Sequence, residues 1–172
     1  MDLDLRAYVR DIPDFPKPGI LFRDLTPLMG DGAAFGACIA ELARRTAELK
    51  VQAVAAIESR GFIFGAAVAA RLGLGFVPLR KLGKLPYKTK KGSYDLEYGS
   101  DGIEIHEDAL DAGTRVVVLD DLLATGGTAA AAVRLTRALG AEVAGTLFVV
   151  ELAALRGRDK LGGIPVDALL AY

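Results

Sequence analysis

The stretch VVVLDDLLATGGT, Val116 to Thr128, decides how this chain is expected to fold. The β-branched, apolar run from Arg115 to Leu119 reads as a buried strand. Asp120 and Asp121 follow at its end, then a turn of small and hydroxyl residues, and then a helix-forming run from Thr128 to Leu139 closed by Gly140. Glu142 to Val150 is strand-like again. The same order appears upstream. Val51 to Ile57 reads as a strand, Gly61 to Leu72 as a helix rich in small residues, and Gly75 to Leu79 as a second short strand. An amphipathic helix over Asp31 to Leu49, opened by Asp31 and Gly32, precedes them. Strands alternating with helices of this length require right-handed crossovers. The expected class is α/β, a mostly parallel twisted sheet flanked by helices, with ligands held beyond the carboxyl ends of the strands.

The segments outside this alternation have a different character. Residues 84–106 lack helical periodicity and contain Pro86, Gly92, Gly99 and Gly102, which predicts a β-hairpin excursion. Six basic residues and no acid lie between Arg80 and Lys91, whereas Asp95 to Asp111 carries acids and no Lys or Arg. Such blocks describe either a solvated hairpin surface or a mobile basic loop for a polyanion. The stretch Asp11 to Gly30 holds Pro13, Pro16, Pro18 and Pro27 and reads as an ordered, irregular N-terminal cap. No repeat or linker interrupts the 172 residues, so one domain is expected over 1–172, with the cap at about 1–30 and the flexible loop at about 84–106.

Composition narrows the function classes. A hydrophobic content of 52% excludes disorder, and no apolar run is long enough to span a bilayer. The net charge of −1 gives no global attraction to nucleic acid or membrane. The first ten residues alternate in charge and do not resemble a secretory signal, so the expected location is the cytoplasm. Cys38 is the sole cysteine and reads as a buried hydrophobe. His106 is the sole histidine, which leaves little material for a histidine metal site or a nucleophilic triad. It reads as a loop or strand-end residue beside the exposed charges Glu107 and Asp108.

The chemistry of Val116–Thr128 is that of a phosphate cradle next to hydroxyl acceptors. Gly126 and Gly127 permit positive φ and close approach of backbone to ligand, and the first amides and dipole of the following helix favour a phosphate. Ala124 lies in the same turn, and Thr125 and Thr128 add hydroxyl donors at its rim. Asp120 and Asp121 cannot bind phosphate, but they can accept hydrogen bonds from vicinal hydroxyls or hold a divalent cation, directly or through water. The lysine-containing nucleotide loop and a GxGxxG turn after a strand are both absent from the sequence. An Asp-rich strand end and a Gly turn that merely caps a helix is the plainer alternative. Arg60 follows a buried strand and is placed either to grip a phosphate oxygen pair or to form a structural ion pair.

With the whole string present, the chain resembles the type I phosphoribosyltransferases, and within them the branch that takes adenine. The likeness extends over DFPKPGILFRDLTPL (Asp14 to Leu28), Glu58-Ser59-Arg60-Gly61-Phe62, Arg80-Lys81 with Gly83-Lys84-Leu85-Pro86, Leu96-Glu97-Tyr98-Gly99, and the tail from Val150 to Tyr172 with Leu155, Gly157 and Arg158. It implies a single type I phosphoribosyltransferase-like domain with a β-hairpin flexible loop and an N-terminal cap, or hood. The implied reaction moves the phosphoribosyl group of 5-phosphoribosyl-1-pyrophosphate to N9 of adenine, giving AMP and pyrophosphate in purine salvage.

The resemblance also implies residue roles. Asp120 and Asp121 would meet the ribose, and Ala124, Thr125, Gly126, Gly127 and Thr128 the 5′-phosphate. Glu58, Ser59, Arg60, Arg80, Lys81 and Lys84 form the pyrophosphate side, with a strained or cis peptide expected within Glu58 to Arg60. Leu21, Phe22, Arg23 and Leu122 fall at the adenine, Phe22 by stacking and Leu21 and Arg23 through backbone groups. A core aromatic is the plainer reading of Phe22. Glu97 and Tyr98 are the implied catalytic pair, against the alternative of a solvent-facing hairpin glutamate. Mg²⁺ is the implied cofactor, bound mainly through donor oxygens and water, and a homodimer the implied assembly. Transfer to xanthine, hypoxanthine or guanine is the alternative within enzymes. A noncatalytic regulator that senses the ribosyl donor is the alternative outside them.

Overall fold

Strand and helix alternate along the chain much as the hydrophobic pattern requires. The structure, a computed structural model, describes residues 3–96 and 99–172. The chain divides into two compact units, Met1–Glu41 and Leu42–Tyr172.

In the first unit, β1 (Arg10–Pro13) pairs antiparallel with β2 (Leu21–Asp24), and α1 (Thr26–Gly30) follows. The proline-rich stretch expected to be irregular is therefore in part a two-stranded hairpin. Prolines are tolerated there because such an isolated pair is all edge. Asp24 knits the unit together, accepting from Arg10 Nη2 at 2.6 Å, Thr26 Oγ1 at 2.7 Å and Thr26 N at 2.9 Å. The backbone hydrogen bond from Thr26, joined by those from Arg10 and the Thr26 hydroxyl, overcomes burial and lowers the Asp24 pKa to about 2. Helix α2 (Gly32–Glu48) begins where the sequence places it, with Asp31 Oδ1 accepting from the amides of Ala33 and Ala34 at 3.0 and 2.8 Å.

The second unit contains β3 (Ala53–Ile57), α3 (Arg60–Leu72), β4 (Gly75–Lys81), β5 (Thr89–Leu96), β6 (Gly99–His106), β7 (Arg115–Leu123), α4 (Gly127–Ala138), β8 (Glu142–Glu151) and β9 (Val166–Ala171). Among the described residues its sheet has the order β5-β6-β4-β3-β7-β8-β9. The run from β4 to β9 is parallel, and the β5–β6 hairpin adds to β4 antiparallel. The β3-α3-β4 and β7-α4-β8 crossovers move away from the sheet centre in opposite directions, so right-handed connections put α3 and α4 on opposite faces. The period-2 alternation of β3 follows from this. Ala53, Ala55 and Ile57 join the cluster containing Ala129–Val133 and Leu135 of α4, while Ala56 and Val54 face Gly65 of α3. All five β3 residues are buried for that reason. No helix among the described residues is long and apolar enough to cross a membrane.

Two differences from the sequence reading bear on function. β7 does not stop at Leu119 but continues through Asp120, Asp121 and Leu122 to Leu123. Pairing with β3 ends at Ala56↔Leu119, whereas pairing with β8 continues to Leu123↔Glu151. The carboxylates thus lie on a strand whose β3 side has been vacated. β4 likewise runs two residues beyond Leu79, so that Arg80 and Lys81 are strand residues opposite Glu104 and Ile103.

Candidate active site

Where β3 ends, the chain turns through Glu58 and Ser59 into α3, with Arg60 as that helix's first residue. The Glu58–Ser59 peptide is cis, within the segment where the family resemblance implied one. Close packing of α3 on β7 depends on Gly61, because a Cβ there would lie 2.6 Å from Asp120 Oδ1 and 3.2 Å from Asp120 Cα. The result is a cavity of about 260 Å³ bounded by Glu58, Ser59, Arg60 and Lys81 and by Asp120, Asp121, Leu122 and Thr128. A second cavity of about 90 Å³ adjoins it, sharing Asp120, Leu122 and Thr128 and formed otherwise by Leu123 to Gly127 and Ala129. Gly126 caps α4 with φ +78, a conformation glycine adopts without steric cost. The turn Ala124–Gly127 thereby presents the helix's first amides to the smaller cavity.

The electrostatics of the two walls are opposed. On one side the Glu58 carboxylate accepts from Lys81 N and Lys84 Nζ, both at 2.9 Å, and from Arg80 Nε and Nη2, both at 3.2 Å. Burial alone would raise its pKa. The hydrogen bonds from Arg80, Lys84 and the Lys81 amide outweigh that and hold it at about 2. The Glu58 side chain is therefore a fixed anion that gathers basic groups beside the cavity. On the other side, burial drives Asp120 well above the usual carboxylate range, and the charge of Asp121 adds to the effect, with Arg60 opposing it. Asp121 itself takes a hydrogen bond from Arg60 Nε, so the ion-pair arrangement anticipated as an alternative for Arg60 is present in this state.

The structure brings Glu58, Ser59, Arg60 and Lys81 to one cavity with Asp120, Asp121, Leu122 and Thr128. Ala124, Thr125, Gly126 and Gly127 lie in the adjoining one. Arg80 and Lys84 join through Glu58. Leu21, Phe22 and Arg23 are on β2 of the first unit, where Phe22 meets Phe15 edge-on at 5.2 Å and Arg23 pairs with Asp11. Glu97 and Tyr98 lie outside the described residues. Among the described residues no cluster of three or more His, Cys, Asp or Glu side chains offers an all-protein metal site. Any divalent ion here would depend on Asp120 or Asp121 together with ligand oxygens and water, a donor set that suits Mg²⁺.

Glu104 was missed in the sequence. It is 2% exposed and accepts from Lys84 N and Leu85 N at 3.0 Å and Thr89 Oγ1 at 3.1 Å. Burial opposes its ionisation, but these hydrogen bonds lower its pKa. Its only local signal is a lone acid between Ile103 and Ile105 in a hairpin that faces a basic strand.

The phosphoribosyl transferase domain family matches residues 30–162. An adenine phosphoribosyltransferase of Methylococcus capsulatus is 59% identical over 168 residues, covering 98% of each chain. The crystal structure of the adenine phosphoribosyltransferase from Thermoanaerobacter pseudethanolicus superposes with a TM-score of 0.95 at 49% identity, covering 98% of each chain. That of the Saccharomyces cerevisiae enzyme, in complex with adenine and an imino-altritol bisphosphate, does so with 0.89 at 43% identity over 94% of each. Fold, cavity and near-full-length identity agree, and the chain belongs to the adenine phosphoribosyltransferases.

Proposed function

We infer that the two adjoining cavities divide the phosphoribosyl donor between them and that this chain uses them to make AMP from adenine. The carrying observation is the extension of β7 past β3, which sets two carboxylates between a helix N-terminus and a cluster of basic side chains. The 5′-phosphate is assigned to the amides and hydroxyls of Ala124 to Thr128, and the ribose hydroxyls to Asp120 and Asp121. Pyrophosphate is assigned to the Glu58–Arg60 turn with Arg80, Lys81 and Lys84, where Glu58 acts by holding the cations and through its backbone. Arg60 exchanges Asp121 for a phosphate oxygen when the donor arrives.

Base recognition is assigned to the Phe22 ring and the backbone of Leu21 and Arg23, with Leu122 contributing apolar surface. Adenine offers a 6-amino donor and accepting ring nitrogens, which backbone groups can match. Glu97 takes the proton from the attacking base and Tyr98 helps to close the site, as the resemblance implies. Mg²⁺ bound to donor oxygens supplies charge neutralisation for the departing pyrophosphate. The protein's own contribution is positioning and electrostatic stabilisation as positive charge develops at the anomeric carbon. A cytoplasmic homodimer completes the reading, and sedimentation should give a particle of twice the chain mass.

Two variants separate the parts. Glu97→Ala is expected to lower kcat by about 10²–10⁴-fold with a donor KM within a few fold, and undiminished turnover removes Glu97 from the mechanism. Phe22→Ala is expected to raise the KM for adenine by about tenfold, the equivalent of roughly 1.4 kcal/mol of stacking, and leave the donor KM unchanged.

A further inference from the structure

The tail of the chain contains a glycine that takes no part in either cavity wall yet touches the Ala124–Gly126 turn from behind, and next to it an arginine that anchors it. A Cβ on Gly126 would lie 2.2 Å from the Gly157 carbonyl oxygen and 3.0 Å from Gly157 Cα. Conversely, a Cβ on Gly157 would lie 2.3 Å from the Ala124 carbonyl oxygen and 3.1 Å from Gly126 N. The two backbones are in contact with no side chain between them. Displacing Gly157 therefore displaces the turn.

Gly157 is itself held on both sides. Arg158 sets its guanidinium fork on Glu151, with Nε to Oε1 and Nη2 to Oε2 both 2.6 Å, and Nη1 donates to the Val166 carbonyl at 2.6 Å. Glu151 is 4% exposed and ends β8 directly beside Leu123, the last residue of β7 and the root of the phosphate turn. Leu152 N also donates to the Leu123 carbonyl at 2.9 Å. On the far side, Leu161 is 2% exposed and sits in the core cluster with α4. A planar two-point ion pair fixes both distance and direction, and a lysine cannot reproduce it.

We propose that Gly157, held by the Arg158–Glu151 pair, is a strut that positions the Ala124–Gly126 turn for the phosphate of the ribosyl donor. This rests on the assignment of that turn to the 5′-phosphate. Amides that receive a ligand must already be in place, and misplacement by about 1 Å is costly in rate. Gly157 and Arg158 are therefore positioning residues, without contact to substrate.

The test uses the full-length protein with ribose 5-phosphate as a probe of the turn, alongside steady-state kinetics with both substrates. In Gly157→Ala the affinity for ribose 5-phosphate is expected to fall at least tenfold. The donor KM should rise by a similar factor, and the adenine KM should stay within twofold. Arg158→Lys, which keeps the charge and adds no atom to the tight contact, is expected to show the same pattern at about threefold to tenfold and provides the readout if Gly157→Ala does not fold. Unchanged ribose 5-phosphate affinity and donor KM in a folded variant overturn the strut. A loss of active fraction with both constants unchanged also overturns it, because that is what a purely structural role gives. If the unaltered protein does not bind ribose 5-phosphate, the assignment of the turn fails and the strut with it. If the unaltered protein binds and the variants bind equally well, the strut alone fails.

Discussion

Asp120 and Glu58 respond to pH with opposite signs. Glu58 has a folded pKa of about 2 against an ordinary 4.5, so its contribution to stability is complete above the ordinary value and is lost as pH falls from about 4.5 toward 2. Asp24, lowered from 3.8 to about 2, loses its contribution over nearly the same window. Urea melts should therefore show stability falling between pH 4.5 and 2, with Glu58→Gln removing about 1–2 kcal/mol of that fall once screening at the half-exposed Lys84 is allowed for. Identical pH profiles for the two proteins would contradict the role given to Glu58. For Asp120 the shift is upward, so the folded state prefers the neutral acid and pays for its ionisation as pH rises above the ordinary range. Asp120→Asn should raise Tm at neutral pH by about 2–4 °C. The same variant should lower kcat/KM by about tenfold, the worth of a hydrogen bond to a ribose hydroxyl. A variant that is both less stable and fully active would reverse both assignments.

At the scale of elements, the turn between β4 and β5 is organised by a carboxylate from β6. Glu104→Ala leaves the amides of Lys84 and Leu85 and the Thr89 hydroxyl without their acceptor. The expected cost is about 2–4 kcal/mol in urea melts, together with a higher donor KM as Lys84 loses its fixed position. Glu104→Gln, which retains an accepting oxygen, should recover part of both, and a null effect on the donor KM would separate this turn from the site. Local signals made much of the architecture legible. Asp31 before α2, and the continuous apolar runs of β3 and β7, all act over a few residues. β9 escaped notice because VDALLA is mostly half-exposed and lacks a clear two-residue alternation. The true end of β7 was hidden because Asp120 and Asp121 interrupt an apolar run that backbone pairing to β8 continues. The turn Ala124–Gly127 at the smaller cavity was legible as one contiguous string. Glu104 and Gly157 meet segments distant in sequence, and no local pattern announces such contacts.

For the molecule as a whole, the sheet order determines where chemistry can occur. β7 lies between β3 and β8, and only one of these neighbours accompanies it to its end. The opening left by β3 receives the first turn of α3, the carboxylates of β7 and the N-terminus of α4. The proposed donor site rests on this topology, whereas the proposed choice of base rests on the N-terminal unit and on family membership. The most direct measurement is product analysis with purified protein, 5-phosphoribosyl-1-pyrophosphate, Mg²⁺ and each of adenine, hypoxanthine, guanine and xanthine in turn. The account predicts AMP and stoichiometric pyrophosphate from adenine, with little or no nucleotide from the three oxopurines. Conversion of an oxopurine with no AMP from adenine would contradict it.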